Sequence, residues 1–161
     1  MIWDWLTALE ATVLAGALRR SVWAYPMVNA AHILGVTLLV GAIVPLDLRL
    51  LGIWRSTPII PLWRVLTRTA GTGFILASVF GTLLFITRAT EYAASYLFLS
   101  KMVVVCAGAA NALVLHIVLS EDILHIPSQI GKPPGRIQLA GGISLLAWLT
   151  ALTLGRLVGY F

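Results

Sequence analysis

Four long, uninterrupted apolar stretches constrain this chain more than any other feature of its sequence. They run from about 22 to 45, 70 to 87, 96 to 119 and 139 to 158. A helix needs about 20 mostly apolar residues to cross a bilayer. The apolar residues do not alternate with polar ones, which argues against a transmembrane β-barrel. The sequence therefore predicts an all-α fold, an integral membrane four-helix bundle in a single domain.

The charge content agrees with lipid as the solvent of this chain. Only 11% of the residues are charged, whereas a soluble domain carries about 25%. The net charge is +5, but the basic residues stand mostly singly at the ends of apolar stretches. Such residues anchor a helix at the head groups and bias its orientation. The sequence therefore predicts the lipid bilayer as a partner and excludes a nucleic-acid groove.

A fifth apolar segment, residues 2–19, precedes the four spans. It contains Asp4 and Glu10 and runs into Arg19 and Arg20. Its length is marginal for a span, and its polar residues do not gather on one face. We therefore predict an extra N-terminal helix at the membrane interface, with tryptophans at head-group depth. A tilted or re-entrant helix is the alternative.

The connections between the spans give a weak orientation signal. The first, about 46–69, contains a helix start at Thr57 and Pro58, since proline favours the first helical position. The third, about 120–138, is the most polar part of the chain. Six basic residues fall on the side of these two connections and five on the other. The positive-inside rule then predicts both termini outside.

Two histidines within the apolar spans are the strongest candidates for chemistry. His32 lies in the first span and His116 late in the third. Ionisable side chains in hydrocarbon are costly and mark functional sites by default. Counted from Arg20 and Lys101, the two histidines lie about 18 and 22 Å deep at 1.5 Å per residue. Two imidazoles at matched depth on diagonal helices could ligate the iron of a b-type haem, so both are predicted metal ligands.

Neighbouring residues fit the same haem hypothesis. Asn29, three residues before His32, is a candidate to fix the imidazole tautomer. Arg88 and Lys101 flank the second connection and could pair with haem propionates. Small residues on the ligand faces would leave room for a flat ring: Gly35, Gly108 and Ala112.

Packing is the alternative explanation for each of these features. Small residues on membrane helices often mark helix–helix contacts, and a buried histidine often makes an interhelical hydrogen bond. His125 lies nine residues after His116, on the opposite helix face, and is predicted to be interfacial. Asp47 and Arg49 indicate a charge cluster at the interface, explained either by simple snorkelling or by a structural ion pair to Arg68 or a neighbour. Cys106 is predicted to be a packing residue.

The chain resembles a family of small bacterial four-span membrane proteins of unassigned function. The resemblance covers about 21–119 and is carried by several short motifs. These are His32-Ile33-Leu34-Gly35, Gly41, Asp47-Leu48-Arg49-Leu50-Leu51-Gly52, Gly81-Thr82-Leu83-Leu84-Phe85, Lys101 and Asn111-Ala112 through His116.

More remotely, the chain is similar to the copper-resistance protein D family and to b-type four-helix membrane cytochromes, including the haem-bearing protoporphyrinogen oxidase family. The resemblance implies a haem-binding bundle in a bacterial inner membrane, with His32 and His116 as ligands. Spans two and four lack histidine, so two bis-histidine haems are excluded. The expected function is a haem b electron-transfer subunit between a quinone and another redox subunit. The alternatives are a non-enzymatic assembly or scaffold subunit, and a copper or small-solute permease.

Overall fold

The computed structural model describes residues 1–118, 120–124 and 130–160, without the side chains of residues 122 and 124. The described chain is helical and contains no strand. Four of its helices are 22 to 27 residues long and apolar enough to cross a membrane by length and composition. The predicted four-helix membrane bundle is therefore confirmed. The helices are α1 (Ile2–Glu10), α2 (Val13–Arg20), α3 (Ala24–Leu50), α4 (Ile59–Phe85), α5 (Ala89–Ala94), α6 (Tyr96–Ile117), α7 (Ser120–Leu124) and α8 (Gly135–Leu157).

The first two spanning helices are longer than the apolar stretches that predict them. Helix α3 continues through Pro45 to Leu50. Membrane helices tolerate an internal proline because neighbouring groups satisfy the freed backbone carbonyl. Helix α4 begins at Ile59, after Pro58, and includes Arg64 and Arg68. The predicted first connection therefore shrinks to residues 51–58, and the helix start predicted there is the start of the second span itself.

The N-terminal segment is two short helices instead of the single one predicted over residues 2–19. Helix α1 ends at Glu10, and the Thr12 side chain caps α2 by accepting from the Ala15 backbone N–H. The Glu10 carboxylate accepts hydrogen bonds of 2.7 Å from both the backbone N–H and the hydroxyl of Thr90. Arg19 donates to the Thr87 carbonyl at 2.8 Å. These bonds attach the segment to the connection between α4 and α6, while Trp3 and Trp5 remain exposed.

Two glycines bring α3 and α4 into the closest contact of the bundle. A Cβ at Gly35 would lie 2.5 Å from the Ala77 nitrogen, and one at Gly73 would lie 2.5 Å from the Leu39 nitrogen. Only glycine permits backbones to approach this closely, as in other small-residue contacts between membrane helices. Helix α3 also packs on α8, and α8 packs on α6. The spans therefore follow the order α4, α3, α8, α6, and the two outer helices of this arc do not pack along their lengths.

A buried arginine joins the two connections at one end of the bundle. Arg49 is 1% exposed. Its guanidinium donates to the Thr57 carbonyl at 2.8 Å and to the Gly131 carbonyl at 3.1 Å. Gly52, with φ of +93°, turns the chain out of α3 just beyond it, a conformation that glycine adopts without strain. Arg49 thus stabilises the loops that connect α3 to α4 and lead into α8.

Candidate functional site

His32 lies in the contact between α3 and α4. Its Nδ1 is 2.8 Å from the Ala77 carbonyl oxygen. Because a carbonyl can only accept, Nδ1 carries the proton and donates it. A Cβ at Gly81 would lie 3.0 Å from the ring, so this glycine makes room for the imidazole.

His116 lies at the other end of the bundle. It occupies the last turn of α6, and its ring stacks on the indole of Trp63, with centroids 6.2 Å apart and planes 16° from parallel. Its neighbour Leu115 is buried in a core cluster with Leu46 and Leu50, at the end of α3. The His116 side chain is exposed, unlike the half-buried His32.

The two histidines are therefore too far apart to share one iron. They contact α4 at Ala77 and Trp63, which are 14 residues apart in one helix, about 21 Å at 1.5 Å per residue. Two imidazoles on one metal need nitrogens within about 4 Å of each other, since metal–imidazole bonds are about 2 Å long, as at zinc. A haem held by both His32 and His116 does not fit this structure.

The residues predicted to surround a haem mostly serve helix packing instead. Asn29 is exposed. The tautomer of His32 is fixed by the Ala77 carbonyl and not by Asn29, for which this role was predicted. The space beside Gly35 is filled by the backbone of α4. A Cβ at Gly108 would lie 3.2 Å from the indole of Trp148 on α8. Neither glycine leaves room for a macrocycle.

The predicted propionate partners also have other contacts. Arg88 is exposed and lies 3.4 Å from the Glu91 carboxylate. The Lys101 ammonium lies 5.2 Å from the ring centre of Phe98. A Cβ at Gly155 would lie 3.5 Å from the Lys101 side chain, which therefore packs on α8. These two residues lie at the end of the bundle opposite His116, while His125 lies outside the described residues.

A cleft is present where the arc of four helices remains open. We call it the lateral cleft: its floor is α3 and α8, its sides are α4 and α6, and its volume is about 480 Å³. This volume is within the usual range of ligand pockets, about 300–1,000 Å³. Its walls are apolar and include Leu39, Ile43, Phe74, Ala109 and the predicted site residue Ala112. Leu113, on the α6 side, is 58% exposed, so the cleft opens towards the bilayer.

Three polar side chains lie on the floor of the lateral cleft. Asp47 is 1% exposed, and Ser144, which is 4% exposed, lines the floor beside it. Trp148, one turn further along α8, is 4% exposed. Among the described residues, neither Asp47 Oδ2 nor Trp148 Nε1 has a hydrogen-bond partner. Buried polar atoms without partners are costly and are rare in proteins.

One end of the lateral cleft is basic. Arg64 and Arg68, one turn apart on α4, are both exposed and line a second cavity of about 290 Å³ with His116, Trp63 and Thr67. Arg68 and His116 also line the lateral cleft, so the two cavities adjoin. We call Arg64, Arg68 and His116 the basic mouth.

Most of this site was not predicted from the sequence. Arg64 and Arg68 fall within the predicted connection 46–69, and Asp47 was predicted to belong to an interfacial charge cluster, whereas all three lie on spanning helices at the cleft or its basic end. One signal was available: two arginines at i and i+4 after a helix start share one helix face. Ser144 and Trp148 carry the same spacing, but their relation to Asp47 depends on the pairing of α3 with α8.

Comparisons with known proteins do not assign a function to this site. The chain matches no family model, no curated protein and no solved structure. Within the described residues, no group of three or more His, Cys, Asp or Glu side chains is arranged to hold a metal ion. The candidate site is therefore defined by its geometry alone.

Proposed function

We propose that this protein is a membrane subunit that binds an amphipathic molecule, taken laterally from the bilayer, in the lateral cleft. The observation that carries the proposal is the open arc of helices, which leaves an apolar cleft between α4 and α6. The walls of the cleft are apolar, the polar groups of its floor are almost fully buried, and one end of the cleft is the exposed basic mouth. A molecule with an apolar body and a polar head matches both parts.

The quinone expected from the sequence belongs to this class of ligand, but the bis-histidine haem is not part of the proposal. An electron-transfer role would need a redox group, and the separation of His32 from His116 removes the pair of ligands on which that role rested. Residence in a bacterial inner membrane, with both termini outside, belongs to the same proposal; the charge bias of the connections supports the orientation, and the resemblance to small bacterial membrane proteins supports the membrane.

A substitution that fills the cleft tests the proposal. Gly71 lines the lateral cleft, and a Cβ there would meet nothing within 4 Å. Gly71→Leu should therefore fold normally while its side chain occupies the binding space. Gly41→Leu is the matched control, since Gly41 also has open space around it but is not among the cleft residues.

The measurement is native mass spectrometry of protein purified in mild detergent from its host membrane. We expect one amphipathic molecule per chain on the wild type and on Gly41→Leu, and loss of that molecule from Gly71→Leu. A wild-type protein that carries no such molecule after gentle extraction would contradict the proposal. Equal retention by both variants would contradict it as well.

A further inference from the structure

The basic mouth carries charge that the described structure does not balance. Arg64 and Arg68 are one helical turn apart on α4, and like charges at this spacing repel each other. Neither arginine is in an ion pair with another described residue, and the ion pairs of Met1 with Asp4 and of Arg88 with Glu91 lie at the opposite end. Among the described residues that line the two cavities, the one acid is Asp47, which is buried on the cleft floor.

We propose that the occupant of the lateral cleft is an anionic phospholipid whose phosphate is held by Arg64, Arg68 and His116. This inference rests on the proposed function and names its ligand class. Guanidinium groups bind phosphate oxygens through paired hydrogen bonds, which are stronger than bonds between neutral groups. Two guanidiniums and an imidazole around one cavity of about 290 Å³ suit a phosphate better than a neutral head group.

The apolar part of the cleft supports the same ligand. It runs from the basic mouth along α4 and α6, past Thr67, Gly71 and Phe74. Its opening between these two helices faces the hydrocarbon, so an acyl chain can lie in it without crossing a polar barrier. With its phosphate at the basic mouth, a phospholipid would have its acyl chains at the same membrane depth as the apolar part of the cleft. Trp63 holds the ring of His116 by stacking and so fixes one of the three head-group contacts.

The test compares phosphatidylglycerol with phosphatidylcholine in nanodiscs that contain the full chain. Native mass spectrometry counts the lipids that remain on the released protein. The double variant Arg64→Gln/Arg68→Gln should lower the affinity for phosphatidylglycerol by about tenfold or more, because it removes two charge-assisted contacts. The variant Arg55→Gln is the control, since Arg55 is an exposed arginine in the connection at the same end.

The outcomes separate this inference from the proposed function. Selective retention of phosphatidylglycerol, lost in the double variant and in Gly71→Leu but kept in Arg55→Gln, supports it. Equal loss in Arg55→Gln would overturn it, because ordinary head-group attraction would then explain the binding. Retention of a quinone, a haem or phosphatidylcholine in the cleft would overturn the ligand class and leave the proposed function standing. A wild-type chain that retains no amphipathic molecule would end both.

Discussion

Replacement of Gly73 by alanine tests whether the contact between α3 and α4 is as close as the structure shows. The added Cβ would lie 2.5 Å from the Leu39 nitrogen and 2.7 Å from the Gly35 oxygen. An ordinary van der Waals contact begins at 3.4 Å, so the two helices must separate by about 0.9 Å. The atoms in the way belong to the backbone, and a rotamer change cannot move them.

The expected cost follows from this separation. Overpacking of a close contact costs about 1–3 kcal/mol, and backbone clashes place Gly73→Ala in the upper half of that range. A loss of about 2 kcal/mol in the free energy of unfolding lowers the folding equilibrium constant roughly 30-fold. Gly71→Ala is the control two residues away on the same helix. Its Cβ meets nothing, so we expect a change from zero to a gain of about 1 kcal/mol from helix propensity.

The assay is reversible unfolding in mixed micelles, with sodium dodecyl sulfate as denaturant and circular dichroism as the readout. The combined variant Gly35→Ala/Gly73→Ala should cost less than the sum of the two single changes, because one separation of α3 from α4 relieves both clashes. If Gly73→Ala and Gly71→Ala unfold within about 0.5 kcal/mol of each other, the range of ordinary surface changes, the close backbone contact is refuted.

Three further predictions concern other parts of the chain. The hydrogen bonds from Thr90 hold the pKa of Glu10 below its ordinary value of 4.5. Attachment of α1 should therefore be complete above pH 4.5 and weaken as the pH falls through the lower pKa of the folded state. Quenching of tryptophan fluorescence should report the loss of attachment, and Glu10→Gln should abolish its pH dependence. His32→Ala removes an interhelical hydrogen bond and leaves a void, so unfolding should become easier by about 1–3 kcal/mol, while ligand retention at the basic mouth is unchanged. Arg49→Met leaves two loop carbonyls without a donor, so limited proteolysis should cut residues 51–58 faster than in the wild type. Equal cutting rates would contradict the stabilisation of these loops by Arg49.

The membrane bundle could be predicted from the sequence because a spanning helix is a local property. About 20 consecutive apolar residues determine it without reference to the rest of the chain. The helix ends were predicted less well, and for a physical reason. The sequence predicts Arg64 and Arg68 in a connection, yet both lie within α4. A long arginine side chain can reach the interface from a helix that continues past it.

The depth of the two histidines was predicted wrongly because the count started from unequal levels. Arg20 ends α2 just before the first span, whereas Lys101 already lies within α6, packed against Phe98 and the α8 backbone. Counted from the helix starts, His32 is 8 residues into α3 and His116 is 20 residues into α6. These counts correspond to depths of about 12 and 30 Å. A charged residue is therefore a poor depth marker unless its helix boundary is known.

The lateral cleft could not be predicted because it depends on which helices fail to pack. In a simple up-down bundle α4 and α6 would be neighbours, and their contact would close the space that the cleft occupies. Here α3 takes its close contact with α4 through Gly35 and Gly73, and α8 packs between α3 and α6. The glycines can be identified in the sequence, but the helix that each glycine contacts cannot. The same pairing of helices brings Asp47 close to Ser144. It also places Arg64, Arg68 and His116 around one cavity. The polar groups of the site therefore come together only once the order of the helices is fixed.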